Sequence, residues 1–310
     1  GVSALPSLMA LAEDPALAPI VRATALTLAQ PHLQAQALPA LRKLLAHTDP
    51  LLRASATGSL EPFDAPTRVA AAAPLLADPV RGVRVEAARV LADVPDEQIP
   101  MEWRSARAKA LQEYVDSLTE DADWPSSNIN LGNLRLRQGR VDEAITAFQR
   151  AVSLDAQLPA AYLNLADAYR QARRDTDGEK TLREAIARMP RNADLHHALG
   201  LLLVRKGDKP VALQFFAQAS RLAPDNARYA YVQAIALNSL GKRAEALALL
   251  RTTQARHPDD LDTLNALVSI QAEAGDARGA LVYAEKMAVL MPDDPSVRRL
   301  LADLKARAAR

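Results

Sequence analysis

The chain has 310 residues, 49% of them hydrophobic but only 4% aromatic, and its 38 basic residues are matched by 37 acidic ones. A near-neutral balance without a basic block excludes the electrostatic footprint of nucleic-acid binding, and no apolar run approaches the ~18 residues that a membrane-inserted helix needs. The absence of cysteine removes disulfides, thiolate metal sites, cysteine nucleophiles and covalent haem attachment from this segment.

Alanine supplies much of the apolar content, strand formers are thin and period-two alternation is scarce, so the expected fold class is all-α. The opening Gly1-Val2-Ser3 has no initiator methionine, charged n-region or apolar h-region, and reads as the edge of a segment taken from something longer. From there to residue 98 the period is 31. Arg22, Arg53 and Arg84 recur at that spacing, followed by Ala25, Ala56 and Ala87, with Leu44-Leu45 and Leu75-Leu76 ahead of the last two. Asp14-Pro15, Asp49-Pro50 and Asp78-Pro79 punctuate the units, each predicting a helix end followed by a proline-started helix. This pattern resembles HEAT-type repeats over 1–98, and the resemblance implies arginine–acid pairs between neighbouring units.

Residues 99–124 form a connection. Met101 to Asp121 predicts one amphipathic helix with Trp103, Ala106, Ala110, Leu111, Tyr114 and Leu118 inward, while Arg104, Arg107 and Lys109 are expected on a solvated face. This helix is expected to pack on both neighbouring arrays and make one continuous α-solenoid.

Over 125–294 the period becomes 34. Pro190, Pro224, Pro258 and Pro292 stop helices, Gly139, Gly207, Gly241 and Gly275 permit tight turns, and Ala144, Ala212, Ala246 and Ala280 mark helix crossings. Phe148, Leu182, Phe216 and Leu250 supply the large knobs. Units fall at 125–158, 159–192, 193–226, 227–260 and 261–294, and Pro295 to Arg310 predicts a capping helix over 295–310 through Val297, Leu300, Leu301 and Leu304. The Tyr162, Leu165, Ala166, Tyr169, Leu182, Ala185 and Pro190 series resembles the tetratricopeptide repeat. The second unit departs from that pattern with Gly178 in place of alanine and Arg173 in place of the turn glycine, and Arg135 replaces an aromatic in the first unit.

Catalytic signatures are missing. The five histidines include one adjacent pair, His196-His197, whose side chains face different ways on a helix. Asp175-Thr176-Asp177-Gly178 begins like a calcium loop but lacks the later ligands, so it reads as a turn between helices. No metal, no cofactor in this segment and no enzymatic activity are expected.

The tetratricopeptide resemblance implies a protein or peptide partner on the first helix of each pair. It assigns Ile129, Asn130, Asn133 and Leu136 from the first unit, Leu163, Asn164, Asp167 and Arg170 from the second, and His197, Leu201 and Val204 from the third. Tyr231, Ile235 and Asn238 follow from the fourth, then Asn265 and Ser269. Asparagine amides can donate to and accept from an extended main chain, and the apolar neighbours can hold anchors. The charged clamp for a C-terminal carboxylate is not matched, since Ile129 and Ala198 stand where lysine and arginine are needed. The repeat order and phrases such as Leu195-His196-His197-Ala198-Leu199-Gly200 are also similar to the tails of bacterial multihaem c-type cytochromes. That similarity implies a module of a periplasmic redox protein, with haem upstream. A third possibility is the substrate-binding region of an enzyme such as a protein glycosyltransferase.

Overall fold

The computed structural model describes residues 4–309, so the reading of Gly1-Val2-Ser3 lies outside the described residues. Those residues form helices and no strand, in two compact units, 1–154 and 155–310.

In the first unit α1 (Leu5–Glu13) pairs with α2 (Pro19–Ala29), and α3 (Leu38–Leu45) with α4 (Pro50–Gly58). Next, α5 (Ala65–Ala72) tightens into a 3₁₀ turn, Ala73–Ala77, before α6 (Arg81–Val90). Pro74 lies in that turn, and its missing N–H cannot extend the α-helical ladder. Leu26, Leu41, Leu60, Leu76 and Leu91 form the buried core.

The Asp-Pro steps work differently from the sequence expectation. Only Pro50 opens a helix; α2 begins at Pro19 and α6 at Arg81. In all three steps the aspartate accepts the N–H two residues on, from Ala16, Leu51 and Val80, each at 2.8 Å. Proline has no N–H to give, so the next residue supplies it and the chain turns before the helix starts.

The 31-residue arginine ladder braces these turns. Arg53 donates through Nη1 to the carbonyls of His47 and Thr48, both at 2.9 Å, and Arg84 does the same to Asp78 and Pro79 at 2.8 and 3.1 Å. The other edge of Arg53 forks onto Asp78 at 2.7 and 3.0 Å, and that of Arg84 onto Glu113 at 2.9 and 3.0 Å. Arg22 donates to the Ala12 carbonyl at 2.9 Å, but His47 stands 31 residues before Asp78, so a ring nitrogen at 3.4 Å replaces the acid on that rung.

Helix α7 (Met101–Glu120) packs on α6 and on α8 (Pro125–Arg137). Ala110 and Leu118 are buried, and Trp103, Ala106 and Leu111 lie against the core. Arg104 and Lys109 are exposed as expected, but Arg107 is only 6% exposed. Its Nη2 donates to the carbonyls of Leu91 and Val94 at 2.7 and 2.6 Å and its Nη1 to Asp96 at 2.5 Å. Both carbonyls lie in the turn that follows α6, where the Leu91 carbonyl also accepts the Val94 N–H at 3.2 Å, and the buried guanidinium adds a donor to each.

The first 34-residue hairpin joins α8 to α9 (Val141–Leu154) within the first unit. The second unit holds α10 (Pro159–Gln171) with α11 (Asp175–Arg188), α12 (Ala193–Arg205) with α13 (Lys209–Leu222), and α14 (Ala227–Ser239) with α15 (Arg243–Arg256). It ends with α16 (Leu261–Glu273), α17 (Ala277–Leu290) and α18 (Pro295–Ala308). Met189, Ala223, His257 and Met291, each before a ladder proline, have φ of −129°, −131°, −127° and −130° and ψ of 64°, 72°, 72° and 63°. The proline ring disfavours helical geometry in the preceding residue, so every second helix ends there. Two residues after each proline, Asn192, Asn226, Asp260 and Asp294 cap the next helix by accepting a backbone N–H. Gly139, Gly207, Gly241 and Gly275 turn with φ of 72°, 87°, 77° and 81°, and Arg173 adopts φ 58° in the same role without glycine's freedom.

Helix crossings are filled by inverse sizes in register. Gly132 faces Phe148 and Gly200 faces Phe216, where an added β-carbon would press into the ring. Where the knob is leucine, at 182 and 250, its counterparts are Ala166 and Ala234; where it is Ala284, the counterpart is Val268. Ala144, Ala212, Ala246 and Ala280 are 0% exposed. Val297 and Leu304 of α18 bury against Ala280, Ala284 and Met287, which closes the core at that end.

Candidate functional site

The assigned residues fall into rows with the 34-residue period on the first helices. One row is Asn133, Asp167, Leu201, Ile235 and Ser269; beside it run Ile129, Leu163, His197, Tyr231 and Asn265 on one side and Leu136, Arg170, Val204 and Asn238 on the other. Leu201 and Ile235 are 41% and 40% exposed, and Val204 39%. Equal exposure at one register shows that the hairpin crossing does not consume these side chains.

In the second unit, Leu163, Asp167 and Arg170 of α10 meet Leu201 of α12 around a shallow pocket of about 190 Å³, with Ala198 and Arg205 completing the wall. Asp167 is held by Arg170 Nε at 2.8 Å and Gln171 at 3.0 Å, and Arg205 pairs with Asp175 at 3.1 Å. These pairs are solvent-exposed, so each contributes little to stability and can exchange partners. Tyr231 packs on the cluster of Ala234 and Leu250, leaving Ile235 the more available of the two. Asn164 and Asn238 are half-buried, and Asn265 and Ser269 are exposed.

His197 is wedged between the rings of Phe216 and Tyr229, at 5.7 and 4.8 Å between centroids, and burial followed by Arg228 lowers its pKa. His196 is buried with Nε2 2.9 Å from the Pro190 carbonyl. Tyr229 donates to Asp194, and burial together with that carboxylate pushes its phenol up to about 12. Asp175 and Asp177 open α11 and pair with Arg205 and Arg174, in keeping with a helix start. Among the described residues no cluster of three or more His, Cys, Asp or Glu side chains could hold a metal, and no helix is long and apolar enough to cross a membrane.

In the first unit Asn130, Asn133 and Leu136 line a different pocket, of about 400 Å³, with Arg89, Tyr114 and Arg137; Ile129 is half-buried outside it. Sequence reasoning left out these last three pocket residues, which lie on α6, α7 and the far end of α8. Arg89 forks onto Glu86 at 2.9 and 2.7 Å and reaches Glu61 at 3.3 Å. Glu61 also accepts from Gln30 at 3.1 Å and pairs with Arg137. The Glu86 hydrogen bond raises the Arg89 pKa, while burial lowers that of Arg137 and raises that of Tyr114.

Comparison with known families fixes what the 34-residue register means. Family models described as "TPR repeat" and "Tetratricopeptide repeat" match residues 132–172 and, in overlapping segments, 163–297, together more than half of the chain. The chain belongs to the tetratricopeptide repeat family. It is 27% identical over 139 residues to Protein FlbA of Caulobacter vibrioides, covering 45% of this chain and 23% of FlbA. It is 33% identical over 147 residues to Cellulose synthase 2 operon protein C of Komagataeibacter xylinus, covering 46% of this chain and 11% of that protein. The chain therefore spans less than a quarter of the curated relatives it matches. The crystal structure of yeast Tom70 shares the fold, with a TM-score of 0.58 at 18% identity over 94% of this chain and 60% of Tom70. The tetratricopeptide matches all lie within 132–297, on the array carrying the three rows.

Proposed function

We propose that this tetratricopeptide chain is a non-catalytic scaffold that binds an extended peptide or protein segment on the first helices of its repeats. The observation that carries the reading is the row of Leu201 and Ile235, large apolar side chains left about two-fifths exposed at one register of neighbouring repeats. An interior built from alanine crossings has no use for them there, and exposed apolar anchors flanked by polar groups mark interaction surfaces. In this reading Leu163, Leu201, Val204 and Ile235 take apolar side chains of the ligand. Asn164 and Asn238 bond its main chain, Asp167 and Arg170 select charge, and Tyr231 and His197 shape the surface.

A peptide selected from a random display library on the intact chain provides the test. Leu201→Ser combined with Ile235→Ser should weaken its binding at least ten-fold in calorimetry with an unchanged melting curve. Undiminished binding in that double variant would refute the assignment. Replacing Tyr231 is less informative, because its ring also packs on Ala234 and Leu250.

The HEAT-like character of 1–98 is proposed on the same footing. The Arg53–Asp78 fork, which links the second and third 31-residue units, supports it.

A further inference from the structure

Positions that repeat every 31 residues are not equally buried. Val21 of α2 corresponds to Leu52 of α4 and Val83 of α6, and Leu28 corresponds to Ser59 and Val90. Leu52, Val83 and Val90 are 0% exposed and Ser59 2%, yet Val21 is 45% exposed and Leu28 60%. Helix α2 packs on α4 as α4 packs on α6. What α4 and α6 have, and α2 lacks among the described residues, is a preceding helix pair. Val21 and Leu28, on one helix face at i and i+7, therefore mark the side on which such a pair would lie. The other side of α2 is already spent on the second pair, where Gln30 donates to the Gly58 carbonyl at 3.0 Å and to Glu61 at 3.1 Å.

The arginine rungs point the same way. Arg22 reaches His47 in the turn between α3 and α4, and Arg53 reaches Asp78 in the turn before α6. A guanidinium from a preceding pair would arrive at the turn between α1 and α2. Asp14 holds a carboxylate there, two residues before the strict register position, which is Ala16. Asp14 accepts the Ala16 N–H at 2.8 Å, as Asp78 accepts that of Val80. Asp78 carries an arginine fork as well, so the turn geometry leaves room for one.

We propose that this face of α1 and α2 is a docking surface for a helix pair of the same 31-residue type carried by a partner protein, with an arginine of that pair on Asp14. The exposed residues of α2, Ile20, Val21, Thr24, Thr27 and Leu28, carry no charge. A charged side chain buried against them would go unpaired, so the partner's helix face is apolar and its charge is confined to the rung. A second copy of this chain is a poorer occupant. The side that has to meet Val21 and Leu28 is the one that α2 turns to α4 and α4 turns to α6, and in a second copy both are already covered. None of this depends on peptide binding along Leu201 and Ile235.

The probe is a synthetic peptide with the sequence of residues 33–63, the chain's own second pair, added to the full chain while amide exchange is followed on α2. Exchange there should slow at least about ten-fold once the peptide is in ten-fold excess over its Kd. Leu28→Glu changes an exposed side chain and should leave the parent's melting temperature unaltered, yet abolish the response. Asp14→Asn, which can still accept the Ala16 N–H, should weaken binding about three- to ten-fold, as should Arg53→Ala in the peptide. The two changes together should cost less than the sum of each alone. In a parallel format the same 33–63 segment is fused in register ahead of Val2, which removes the cost of bringing two chains together. Unchanged exchange on α2 in both formats overturns the proposal. A response confined to the fusion overturns the partner and makes the face an intrachain joint. Concentration-dependent dimerisation of the parent that Leu28→Glu abolishes gives the face to a second copy and overturns it equally.

Discussion

In residues 5–98 the contact that repeats is electrostatic, and in residues 159–294 it is steric. The 31-residue units are joined by guanidiniums that brace turn carbonyls and fork onto a carboxylate of the following segment, as Arg53 and Arg84 do. Within each 34-residue unit the two helices are matched by volume, with Gly200 yielding to Phe216 and Ala234 fitting Leu250. Charge depends on pH and on a complete partner set, whereas volume depends on neither. The two regions should therefore fail under different perturbations.

The largest expected effect is at the rung. Burial by itself would raise the Asp78 carboxyl, but the Arg53 fork, the Val80 N–H and the charges of Arg53 and Arg84 outweigh it and hold the pKa below its ordinary value. A carboxyl with a depressed folded pKa adds stability above its unfolded value near 4, and that stability is lost as pH falls through the folded pKa. Asp78→Ala should cost about 3 kcal/mol in chemical denaturation at pH 7, because it also strands Arg53 near the core. The deficit relative to the parent should shrink below pH 4. A deficit that does not change with pH would make the rung a packing contact like those of the second region.

Next comes the size match. Gly200→Ala should cost about 1–3 kcal/mol by overpacking against Phe216, despite alanine's better helix propensity. Adding Phe216→Leu, which recreates the Ala166–Leu182 pairing, should recover at least about 0.5 kcal/mol relative to the sum of the single changes. Strict additivity in that cycle would disprove the inverse-size account.

The smallest effect has the opposite sign. Arg173→Gly places glycine at the φ of 58° where the other repeats already have it, and should stabilise the second region by about 1 kcal/mol, read as a higher melting temperature. An unchanged or lower value would show that the arginine side chain compensates for its backbone.

Much of this was legible in the sequence because it is local. A proline fixes its predecessor's geometry, a turn glycine fixes a sign of φ, and small residues at a constant spacing must share a face; these gave the period, the hairpins and the capping helix. The N-cap ladder of Asn192, Asn226, Asp260 and Asp294 could have been read in the same way, two residues beyond each proline. Arg107 misled because a lone arginine on an amphipathic helix has the pattern of a solvated one. Only the turn carbonyls beyond the end of α6, those of Leu91 and Val94, draw it inside. The likeness to cytochrome tails rested on repeat order and phrasing alone, which place no side chain.

The sequence by itself determined the all-helical class, both repeat periods and the rows of residues at the 34-residue spacing, since these follow from local stops, turns and recurring residue types. Tertiary structure alone decided which charges became buried rungs, which exposed side chains remained unspent, and that Arg89, Tyr114 and Asn130 share one pocket. Those outcomes depend on contacts between residues tens of positions apart, where hydrogen bonding and desolvation, not local propensity, set the balance.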